Sequence, residues 1–200
     1  MASQVQIVNE ALGLLGEPSI VSIDDEIERA RTMKALWDGR RDSLIEEHRW
    51  GFAMARAELP ALAGVPPWGF DYAYQMPVDC IRLDQVGEWW AWDRHGSHGS
   101  AGPEGPWSVE GRTILSNETA PLAIRYIRRV EDPGLFPPLF AEALACKLAS
   151  WAASRQTESN PKAEAAEARL MRALRSARRV NAIQQPAQPM QPSSWLASRF

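Results

Sequence analysis

Val5, Val8, Leu12 and Leu15 recur at helical spacing behind Ser3, which predicts a short amphipathic helix with Ser3 as its N-cap. Gly16 and Pro18 stop it. A second stripe, Ala30, Met33, Trp37 and Leu44, predicts a longer helix capped by Asp24 or Asp25 and running to about Glu47 or His48. Gly39 costs that helix about 1 kcal/mol relative to alanine without ending its period. Between Pro60 and Pro138 the pattern changes to Pro, Gly, aromatic and β-branched residues. Strands are expected near residues 79–92, 106–116 and 121–130, with Gly111 and Asn117 as turn signals and a Gly/Ser-rich loop over 96–105. Pro77 fixes its own φ and lacks an N–H, so it suits the start of the strand in which Cys80 and Arg82 alternate with Ile81 and Leu83.

Helical spacing returns after Pro137 and Pro138, where Phe140, Leu144, Leu148 and Trp151 share one face. Asn160 and Pro161 open a further helix of alanine, arginine and glutamate whose apolar stripe is only Leu170, Leu174, Ala177 and Val180. From Gln184 the proline- and glutamine-rich chain favours extended, solvated conformers and has no means to fold alone. The expected fold is therefore mainly α with an inserted small antiparallel β domain, an α+β helical bundle with an extended C-terminal tail. Helical sections occupy 1–60 and 136–183, the β-rich insertion 61–135 and the arm 184–200.

With 200 residues and 45% apolar side chains, the chain can bury one core. No apolar run of about 18 residues is present and the first residues lack signal-peptide character, so a soluble protein made in the cytoplasm, with no membrane partner, is expected. Cys80 and Cys146 sit in apolar patterns and are expected as buried thiols, with no disulfide, zinc or other cofactor. The net charge of −3 hides a local reversal. Between Lys162 and Arg179, six basic residues face only Glu164 and Glu167. Arg169, Arg172, Arg175 and Arg179 recur at three or four residues and line one helix face, suited to an acidic protein or to nucleic acid.

Glu46, Glu47 and His48 beside Arg49 are the residues that most resemble a general acid and base. Adjacent helical carboxylates point about 100° apart and flank no common bond, so a charged helix end explains them better. His95 and His98 share a Gly/Ser loop with no further ligand in metal spacing. On a strand, Trp90 and Trp92 share one face and Trp89 takes the other, which breaks up a sugar-stacking platform and suits packing plus a subunit contact. Trp37, Trp50, Trp68 and Trp151 are core candidates.

Three blocks occur in order: Asn9-Glu10-Ala11-Leu12-Gly13-Leu14-Leu15-Gly16, Trp50-Gly51-Phe52-Ala53-Met54-Ala55-Arg56, and Tyr74-Gln75-Met76-Pro77-Val78-Asp79-Cys80-Ile81-Arg82-Leu83. Over roughly residues 3 to 156 the chain resembles the tail tubular protein A, or head-to-tail adaptor, family of short-tailed bacteriophages. The resemblance implies a structural virion protein of the neck and tail, synthesised in the host cytoplasm, with no enzymatic reaction. It implies a ring of identical subunits, typically dodecameric, beneath the portal protein, which extends the DNA channel and seats a tail nozzle protein similar to tail tubular protein B. Packaged DNA would pass through without sequence-specific contact. Family members grip the portal or a neighbouring subunit with the C-terminal segment, and Trp195, Leu196 and Phe200 are the large apolar groups available there. Two other classes remain open: a virion-associated peptidoglycan hydrolase, and a DNA-binding protein that uses the basic C-terminal helix.

Overall fold

Helix α1, Gln4–Leu15, begins with a reciprocal cap. The Ser3 hydroxyl accepts from the Gln6 N–H at 3.2 Å, and the Gln6 side-chain oxygen accepts from the Ser3 N–H at 2.9 Å. Gly16 closes it in the left-handed region at φ 76°, as its place after Leu15 suggests. The computed structural model describes residues 2–87, 107–156 and 160–184, with side chains outside 154–163.

Helix α2, Glu28–Glu46, buries the expected Ala30, Met33, Trp37 and Leu44 but starts later than expected. Its N-cap is Ile27, with no side-chain cap, rather than Asp24 or Asp25. Both aspartates are engaged elsewhere: Asp25 accepts from the Val21 and Ser22 N–H groups, and Asp24 pairs with Lys34 at 2.6 Å. Helix α3, Pro138–Gln156, is buried on most sides, with Ala143, Leu144, Ala145, Cys146, Leu148, Ala149 and Ala152 all in the interior. A helix apolar almost all round belongs at the centre, and α1, α2 and the final helix, α4 (Asn160–Ile183), all pack on it. Its alanines allow close approach.

The β layer holds two antiparallel three-stranded sheets. In the first, β1 (Met54–Leu59), β6 (Leu122–Arg128) and β3 (Cys80–Val86) lie in the order β1-β6-β3. In the second, β2 (Tyr72–Gln75), β5 (Thr113–Ser116) and β4 (Trp107–Glu110) lie in the order β2-β5-β4. The single strand expected over 106–116 is thus a hairpin, because Gly111 turns the chain at φ 60°. β1 and β2 were not expected as strands, and β1 falls before residue 61 while pairing throughout with β6. Among the described residues the fold is mixed α+β, with four α-helices and these two sheets.

Strand periodicity lets β6 serve two interiors. Leu122, Ile124 and Tyr126 face Leu59, Tyr74 and Ile114 in a core between the sheets, whereas Ile127 turns the other way into the helical core. There Trp50, Phe52, Phe136 and Phe140 form an edge-to-face and tilted cluster with centroids 4.8 to 6.5 Å apart. The Trp50 indole also donates to the Leu44 carbonyl at 2.8 Å. Trp37 and Trp50 are buried as expected, but Trp68 and Trp151 are 71% and 53% exposed. Trp68 follows Pro66 and Pro67 in the loop between β1 and β2, and the Trp151 ring is covered by the Arg40 guanidinium, 3.8 Å from its centroid, rather than by core. Val180 is likewise exposed, and α4 buries Ala166, Ala173, Leu174 and Ala177 instead.

Candidate functional site

The alanine-rich side of α4 lies on α3, which leaves its arginines outward. Arg169, Arg172, Arg175 and Arg179 are all exposed, and at 100° per residue their spacing confines them to an arc of about 120°. Arg172 and Arg175 donate from Nε to the carbonyls of Ala168 and Met171, each at 3.2 Å, which lays the stems along the helix. None of the four forms an ion pair among the described residues, so their charge remains available.

Arg178 points differently and bonds the Glu47 carboxylate, which also lies 3.7 Å from Lys147. Burial lowers the Lys147 pKa, and Glu47 works against that shift by favouring the ammonium. Three residues on, Asn181 accepts from the Gly51 N–H at 2.8 Å and donates to the Arg49 carbonyl at 2.8 Å. Its amide nitrogen lies 3.2 Å from His48 Nε2, a contact that requires a neutral ring with its proton on Nδ1. Burial lowers the His48 pKa, and Arg178 and Arg82 lower it further. Below this latch Asp84, whose side chain is 2% exposed, receives Arg49 at 2.5 Å and Arg125 at 2.7 Å, one on each oxygen. The end of α4, the turn at 47–51 and the first sheet are therefore tied by polar groups around the aromatic cluster.

The same ties account for Glu47 and His48, the residues weighed as an acid and base. Two surface hollows, of about 440 and 320 Å³, are lined by Val78, Asp79, Arg129 and Glu131 and by the loop around Trp68 with Phe70 and Leu115; neither includes Glu46, Glu47 or His48. Among the described residues no His, Cys, Asp and Glu group is arranged to hold a metal ion, and no helix is long and apolar enough to cross a membrane. Cys80 and Cys146 are buried free thiols whose pKa values burial raises. His95, His98, Trp89, Trp90, Trp92, Trp195, Leu196 and Phe200 lie outside the described residues.

The arginine face was legible from its spacing. The Arg178 and Asn181 latch was not, because its partners lie about 130 residues away and no local period marks them. No protein-family model matches the sequence, and no curated protein matches it.

Proposed function

We propose that this chain is a structural subunit of the head-to-tail adaptor of a short-tailed bacteriophage. It assembles as a ring, dodecameric as is typical of the family it resembles, beneath the portal protein, extends the DNA channel and gives the tail nozzle its platform. It catalyses no reaction, and after synthesis in the host cytoplasm it resides in the neck of the virion. The observation that carries this reading is where two of the blocks that resemble the family fall. Trp50 to Arg56 runs from the aromatic cluster of the helical core into β1, and Tyr74 to Leu83 carries the chain from the second sheet to the first, with Tyr74, Met76, Cys80 and Leu83 in the core between the sheets, so both blocks fall where packed layers join. Blocks placed at junctions of packed layers suit a building block more than a reaction centre.

Trp89, Trp90 and Trp92 are the proposed subunit-contact aromatics, and Trp195, Leu196 and Phe200 the proposed anchors to portal or neighbour. The hydrolase reading has little support, since Glu47 is engaged by two cations and His48 Nε2 is occupied by the Asn181 amide. The exposed arginines of α4 favour, at most, non-specific contact with DNA in passage. Electron microscopy of the purified chain mixed with the portal protein of its virus tests the proposal. A closed ring coaxial with the portal is expected; a chain that leaves the portal bare and instead clears peptidoglycan, with loss of activity in Glu46→Gln or Glu47→Gln, overturns it.

A further inference from the structure

The chain carries two exposed surfaces of opposite sign with no ion pair between them among the described residues. From Glu17 to Glu28 there are five carboxylates, Glu17, Asp24, Asp25, Glu26 and Glu28, and no lysine or arginine. This segment is shaped, because Asn9 holds Ile20 through two hydrogen bonds of 2.8 and 2.9 Å and Asp25 gathers the Val21 and Ser22 N–H groups. Val21 projects from it, 92% exposed, and Glu17, Glu26 and Glu28 make no ion pair among the described residues. On α4 the complementary surface is Arg172, Arg175 and Arg179, flanked by exposed Met171, Val180 and Ile183, the last 74% exposed.

The apolar flanks decide between partners. A phosphate backbone asks only for positive charge, whereas arginine set among methionine and branched aliphatic side chains matches the composition of protein interfaces. Both surfaces combine charge with an exposed apolar group. They cannot close on each other at the C-terminal end of α4, since Asn181 fixes that end to residues 49 and 51, just past the C-terminus of α2. The acidic segment runs into the opposite end of α2, which at 19 residues is about 28 Å long.

We propose that the basic face of α4 in one copy docks on the acidic segment 17–28 of a second copy. The inference rests on the ring reading above and supplies its interface. Two different surfaces joined head to tail leave one of each free after every step, so the contact repeats and closes when the rotation per subunit permits.

Two full-length variants test it: Arg172→Glu/Arg175→Glu/Arg179→Glu, and Glu17→Lys/Glu26→Lys/Glu28→Lys. Each alone should lose self-association at least about tenfold at physiological salt, through like-charge repulsion at the contact. Mixed together they should recover it, with the two variants alternating in native mass spectra; that recovery also shows that both are folded. Unaltered self-association of both variants, no recovery on mixing, or loss of DNA retention alone in the arginine variant overturns the contact. An unaltered chain that stays monomeric up to about millimolar concentration overturns it too, and leaves the ring to its test with portal. If mixtures associate only as open chains, the contact stands and the ring falls; if rings persist through both charge reversals, the ring stands and the contact falls.

Discussion

His48 shows how one side chain is repurposed by its neighbours. Burial, then Arg178 and Arg82, lower its pKa below the ordinary 6.5, so the unfolded chain binds the proton more readily than the folded one. The stability that follows is present above the unfolded value and is lost as pH falls through 6.5 towards the folded one. Urea denaturation between about pH 7 and pH 5 should therefore show a decline that His48→Gln flattens, since glutamine keeps an acceptor for Asn181 without titrating in that window. His95 and His98 are present in both proteins, so the difference reports His48 alone. An identical slope in the two proteins would refute the protonation penalty. At this scale the sequence signal was partial. Trp37 and Trp50 were readable as core from their place in apolar patterns, yet Trp68 and Trp151 occupy similar patterns and are exposed. Local pattern ranks a side chain's hydrophobicity but does not say how far the neighbouring element reaches, and at Trp151 it is the Arg40 guanidinium that does the covering.

Elements divide by the range of the signal that specifies them. α1 was legible to its caps because Ser3, Gln6 and Gly16 act within four residues of the helix ends. The late start of α2 was hidden because Asp25 satisfies the preceding turn and so cannot cap. β1 was missed because Arg56 and Glu58 interrupt an otherwise alanine-rich stretch, and only β6, paired Met54 to Ile127 through Leu59 to Leu122, makes it a strand. The same chemical change should have opposite signs in two elements. Neither Gly39 nor Gly111 has anything within 4 Å of an added Cβ, so only the backbone distinguishes them. Gly39→Ala removes a helix-interior glycine from α2 and should stabilise by up to about 1 kcal/mol. Gly111→Ala forces a side chain onto φ 60° in the β4–β5 turn and should cost about 1 kcal/mol. Paired thermal melts check this, and shifts of equal sign would contradict the assignment of both positions.

At the scale of the whole molecule, the side chains that hold α4 to the described interior, from Ala166 to Asn181, all precede Ile183. Truncation after Ile183 should leave the denaturation midpoint unchanged and abolish attachment to the portal or to neighbouring subunits. In the anchoring arm proposed above, docking of Trp195, Leu196 and Phe200 would offset an ordering cost of about 1 to 2 kcal/mol per residue. Cosedimentation with portal measures it, and undiminished binding by the shortened chain refutes the arm. The mixed α+β plan was legible from the change of period in mid-chain, while the seam between the layers was not, since the carboxylate of Asp84 and the amide of Asn181 find partners from distant segments. That seam also sets a mechanical property. A pull on the chain past Ile183 does not peel α4 from α3 one turn at a time, because Asn181 and Arg178 pass the load directly to residues 47–51 and, through Arg49, to Asp84. Tension thus reaches both layers before any turn of α4 has come away.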